Sequence, residues 1–132
     1  MDFQQHQEEL RSIQRGLDKF FCNLSAIVGK TTASAILSSA VRHTNRRYPS
    51  TDQLIVTPDQ VDVVPLVAAL QGAVANQWLY ELVIRLQAVL ARVEYILGKL
   101  TGRIILTILA EPLHEIHVCL LTILEEKDCN RH

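Results

Sequence analysis

The chain is 132 residues long, 48% hydrophobic and 20% charged, with a net charge of −1. That length and apolar content exclude a disordered chain and suffice for one domain, 1–132, with a core that needs no disulfide or metal. The near-neutral charge excludes a protein-wide field for nucleic acid or anionic lipid, and Cys22, Cys119 and Cys129, odd in number and without CxxC spacing, fit a reducing, cytoplasmic setting.

The first helix is predicted over 2–28. Leu10, Ile13, Leu17, Phe20, Leu24 and Ile27 recur at alternating steps of three and four, a heptad seam that passes over Gly16. Gly29 suits a left-handed helix stop. Thr31 or Thr32 then caps a second helix whose apolar face is Ala33, Ile36, Leu37, Ala40 and Val41. That helix ends near Arg47, because Pro49 biases Tyr48 away from helical geometry. Val28-Gly29-Lys30-Thr31-Thr32 matches the end of a phosphate-binding loop, but Leu24 stands where the motif needs its first Gly, and a helix rather than a strand precedes it.

Over 54–64, Leu54-Ile55-Val56-Thr57 and Val61-Asp62-Val63-Val64 are rich in β-branched residues and flank Pro58-Asp59, which has turn chemistry. The expectation is a short β-hairpin leaning on the helices, or an extended loop pinned by its apolar side chains. Pro65 suits the first turn of a third helix. The longest apolar pattern follows, from Trp78 to Leu100: Leu79, Leu82, Leu86, Val89, Val93, Ile96 and Leu100 form its seam, with Glu81, Arg85, Gln87, Arg92 and Glu94 opposite. By period alone Leu86, Val89 and Val93 are buried, while Arg85 and Arg92 stay in water. Gly98 and Gly102 mark the end of this central helix.

A last helix is predicted over 103–127, with Ile105, Ile108, Leu109, Leu113, Ile116, Leu120, Ile123 and Leu124 inward and a kink at Pro112. Residues 104–124 have the length of a membrane span, yet Glu111, His114, Glu115 and His117 occupy their centre at a cost of several kcal/mol in lipid, so no span is expected. The resulting fold class is all-α, a bundle of four or five helices with a small hairpin near 54–64.

Two groups of side chains are the chemical candidates. Glu111, His114 and His117 form the densest metal-competent set; Glu111 and His114 have Glu-x-x-His spacing, but the second such motif of a di-iron bundle is missing, and no bound metal or cofactor is expected. Arg42, Arg46 and Arg47, with Tyr48 beside them, offer an anion contact, although positive charge also simply suits a helix C-terminus. His43 lacks the Gly of a phosphotransfer histidine. No catalytic set is expected. The reading is a non-enzymatic regulatory or adaptor module that works through helix pairing, as a homodimer and with a protein partner. The first-helix seam Leu10, Ile13, Leu17, Phe20 and Leu24 is the expected dimer contact. One alternative is a ligand-sensing domain with an apolar pocket between 75–98 and 103–127, lined in part by His114 and His117. Another is weak nucleic-acid or anion binding through Arg42 to Tyr48.

Overall fold

The computed structural model describes residues 6–129, with side-chain surroundings through residue 125; the part of the first predicted helix over 2–5 lies outside them. The elements are α1 (Gln7–Val28), α2 (Lys30–Arg47), a 3-10 turn (Thr51–Gln53), β1 (Ile55–Val56), β2 (Val61–Asp62), α3 (Val64–Val74), a second 3-10 turn (Ala75–Gln77), α4 (Trp78–Thr101), α5 (Arg103–Ile108) and α6 (Ala110–Cys129). This is an all-α bundle with a small antiparallel hairpin, as its periodicity predicts.

The α1 seam is buried from Leu10 to Leu24, with Ile13 and Leu24 at 0% exposure, while Ile27 at its end is exposed. The seam is buried within its own chain: α1 packs chiefly on α6 and on α2. The expected dimer contact through Leu10, Ile13, Leu17, Phe20 and Leu24 is therefore corrected. A heptad seam states that a partner helix exists, and here α6 and α2 are that partner. Gly16 explains how close the approach is. A Cβ at that position would lie 2.5 Å from Cδ1 of Ile116, so the glycine admits the buried Ile116 of α6 at some cost in helix propensity.

Gly29 makes the link between α1 and α2 in one residue, at φ 90° and ψ 154°. Its N–H donates to Ser25 O and its carbonyl accepts from Ala33 N–H. Helix α2 therefore starts at Lys30, earlier than a Thr31 or Thr32 cap would place it, and no side chain caps it.

The hairpin pairs Ile55 with Asp62 and Val56 with Val61. Thr57 closes its turn, donating its N–H to Gln60 O and accepting from the N–H groups of Asp59 and Gln60 at its hydroxyl. Two residue pairs are too few to stand alone. Val61 and Val63 are buried, and Gln14 of α1 binds the β2 side directly: its Nε2 donates to Val61 O at 2.6 Å and its Oε1 accepts from Val63 N–H at 3.1 Å.

Helix α4 packs on α2 and α3. Leu86, Val89 and Val93 are almost fully buried, as their period predicts. Arg85 is buried as well, against expectation, while Arg92 is half-buried. Leu100 and Ile108, both expected inside, are 68% and 59% exposed. Gly102, at φ 64°, ends α4 and resets the helical phase. The last helix then runs in two pieces. Leu109, at φ −89° and ψ 3°, flattens one turn, yet its N–H still donates to Ile105 O and its carbonyl accepts from Leu113 N–H. Pro112 supplies no N–H at this point, and Ile104 and Ile108 of α5 face outward. Among the described residues no helix is long and apolar enough to cross a membrane.

Candidate functional site

Arg85 shows how the candidate site is held. The chain leaves α2 at Tyr48 and turns through Pro49 and Ser50, which takes the left-handed region at φ 77°. The Arg85 guanidinium reaches from α4 into that turn. Its Nε and Nη2 donate to Pro49 O at 3.0 and 2.9 Å, and Nη1 donates to Glu81 O at 3.1 Å. The Glu81 carboxylate stands 3.5 Å away, so the buried charge is paired and hydrogen-bonded, the condition for burying it. Thr51, fully buried, donates its hydroxyl to Tyr48 O. The Tyr48 ring is thus fixed beside two guanidiniums, with Arg85 Cζ 5.9 Å and Arg47 Cζ 5.5 Å from its centroid.

Beside this anchor a groove of about 350 Å³ lies between α2 and α4. Ala88 and Ala91 give it a low wall on the α4 side; Arg47, Tyr48, Arg92 and Tyr95 stand around them, with His43 at the edge. Arg92 Cζ lies 4.5 Å from the Tyr95 ring centroid, and Lys99 Nζ lies 5.6 Å from the same ring. These contacts hold the cations over aromatic faces, each worth about 0.5–1 kcal/mol at an exposed site. Nε of Arg92 is buried without a hydrogen-bond partner among the described residues. The lining holds no carboxylate. The groove therefore presents a single sign of charge, which suits a planar anion such as a carboxylate.

A larger hollow lies under the hairpin turn, about 630 Å³, lined in part by Phe21, Cys22, Lys30 and Asp59. Its charges have opposite signs, with Lys30 Nζ 3.9 Å from Asp59 Oδ1, so it lacks the one-sided field of the α2–α4 groove.

Of the three arginines expected to form an anion contact, only Arg47 lines the groove; Arg42 and Arg46 are exposed elsewhere on α2. Arg92 and Tyr95 complete the groove and were not singled out by sequence as part of it. The spacing of Ala88, Ala91 and Tyr95, small residues and an aromatic on one side of a Leu-rich helix, was the available signal. Arg85 left no such signal, since a period gives a direction and not the reach of a long side chain.

Glu111, His114 and His117 do not converge. Glu111 and His114 are exposed. His117 points at α4, with Nδ1 2.6 Å from Gln87 Oε1 and Nε2 3.6 Å from Glu94 Oε1. Among the described residues no three His, Cys, Asp or Glu side chains are grouped as metal ligands. The pocket expected between 75–98 and 103–127 meets the same fact: α4 and α6 feed one buried core there, and His117 is already partnered. Burial pushes the Cys119 thiol up from its ordinary pKa, which disfavours the reactive thiolate. Comparison with protein-family models, with curated proteins and with solved structures finds no match to this chain.

Proposed function

We propose that this chain is a non-enzymatic interaction module that docks an acidic segment of a partner protein in the α2–α4 groove. The observation that carries this reading is the groove's one-sided charge, with Arg47 and Arg92 unopposed by any lining carboxylate. Guanidiniums match carboxylates in a bidentate fork and are less strongly hydrated than ammonium groups. Tyr48 and Tyr95 add apolar surface with little side-chain entropy to lose. A protein partner is favoured over nucleic acid because the groove is short and the chain as a whole carries a net charge of −1, so no extended cationic track supports a phosphate backbone.

The test is fluorescence anisotropy with a labelled glutamate-rich peptide, run at low and physiological salt. Binding should weaken with salt, and Arg47→Ala and Arg92→Ala should each weaken it about tenfold, corresponding to 1.4 kcal/mol. Arg42→Ala, outside the groove, should leave it nearly unchanged. Peptide binding indifferent to both groove variants removes this reading, and tighter binding of a single-stranded oligonucleotide through the same arginines replaces it with a nucleic-acid one.

A further inference from the structure

The outward side of α5 and α6 carries a second seam. Ile104, Thr107, Glu111, His114, Val118 and Leu121 follow one another at alternating steps of three and four, and all six are exposed. The backbone ladder continues through Leu109, so both pieces contribute to one stripe. Its composition is ordered: apolar at each end, with Glu111 and His114 at the centre. Ile104 is 72% exposed and Leu121 is 50% exposed, and large aliphatic side chains left in water along one stripe are the mark of an interaction surface.

Read backwards, the stripe matches itself. In an antiparallel pair of helices, layers form between opposite heptad positions. A two-fold axis passing between Pro112 and Leu113 sets Ile104 against Leu121 of a second copy, Thr107 against Val118, and Glu111 against His114. Each layer then occurs twice, as a two-fold contact requires. The four outer layers are apolar or nearly so, and the two central ones place a carboxylate opposite an imidazole that can donate to it. We infer that the chain self-associates through this face, as an antiparallel α5–α6 pair with a second copy of itself. This contact is separate from the α2–α4 groove, and neither depends on the other. It uses none of the α1 seam. One helix pair is a small interface, at the low end of specific association, so the dimer forms and dissociates with concentration.

Sedimentation equilibrium of the full chain, from about 1 to 200 µM, should show reversible dimerisation. Leu121→Glu should weaken it at least about tenfold without loss of helical circular dichroism; Val118→Lys provides a second variant should the first lose helicity. Glu111→Lys should weaken the dimer, and adding His114→Glu in the same chain should restore it. The register is read by mixing an Ile104→Cys chain with a Leu121→Cys chain, both otherwise without cysteine: the mixed disulfide should form in preference to an Ile104→Cys pair. A monomer at every concentration, or a dimer indifferent to Leu121→Glu and Val118→Lys, overturns the inference. Peptide binding in the groove, measured on the same variants, should be unchanged, so failure of one proposal is distinguishable from failure of the other.

Discussion

The α1–α6 and α2–α4 contacts each join a helix from the first half of the chain to one from the second, and they finish differently at the surface. Between α1 and α6, a small residue meets a large one, Gly16 under Ile116. Above them opposite charges close, with Lys19 Nζ 2.6 Å from Glu115 Oε2. Between α2 and α4, small residues meet rims of one sign: Ala88 and Ala91 lie below Arg47 and Arg92. Like charges do not close over a gap, so the groove stays open. A hollow of about 290 Å³ also lies beside Gly16 and Ile116, close to the groove's 350 Å³, so the sign of the rim and not the volume separates the two contacts: Lys19 and Glu115 neutralise each other, whereas Arg47 and Arg92 do not.

The largest expected effect falls on the buried side of α4, away from the groove. Leu86→Ala should lose about 2–5 kcal/mol through lost transfer energy and the cavity left behind. Arg92→Ala, whose guanidinium only roofs the groove, should lose well under half of that. Urea denaturation of both variants at one protein concentration checks the ratio, and a more damaging Arg92→Ala would make the rim part of the core. Next comes Arg85, which holds the groove's Tyr48 end. Arg85→Met keeps much of the stem but leaves Pro49 O without its charged donors, and should cost about 1.5–3 kcal/mol. In the same variant the Tyr48 end should loosen and peptide affinity should fall, although Arg85 is not in the groove lining.

Between α1 and α6, Gly16→Val should destabilise by about 1–3 kcal/mol, since the added side chain meets buried Ile116 and the helix gains little from a β-branched residue. Gly16→Val combined with Ile116→Ala should recover part of the loss, which double-mutant denaturation reads directly. The smallest effect belongs to Lys19. The Glu115 carboxylate, by hydrogen bond and then by charge, holds the Lys19 ammonium above its ordinary 10.5, with Glu111 adding a weaker pull. A pKa raised on folding contributes stability that is fully present below the unfolded value and is lost as pH rises through the folded one. The small difference in urea midpoint between the wild type and Lys19→Met should therefore be present at neutral pH and vanish in strong alkali.

The sequence carried most of the element order because each boundary rests on a local cause. Pro49 stops α2, Pro65 enters α3 in its first turn, and the β-branched runs on either side of Pro58-Asp59 pair as β1 and β2. What the sequence did not carry was the identity of each seam's partner. The α1 seam reads equally well for a second copy and for α6, and only the assembled chain shows that α6 and α2 fill it. The outer stripe of α5 and α6 was hidden for a related reason. Gly102 resets the helical phase before α5, so Ile108, assigned inward by a continuous period, faces out. Half of the candidate groove was legible in Arg47 and Tyr48. The other half, Arg92 and Tyr95, sits on α4 about two turns of helix from Arg85, and no local pattern ties it to the end of α2.

Gln14 has a consequence for the order in which the molecule comes apart. Its amide gives the hairpin one donor and one acceptor, so a helix side chain stands where a third strand would be. Opening the ribbon costs α1 only those two bonds, whereas opening α1 around Gln14 deprives the ribbon of its support. The ribbon is therefore the lower rung of a ladder of partial openings, and α1 a higher one that includes it. Proteolytic nicking of the native protein accordingly begins over 54–63 while the first helix is still in place.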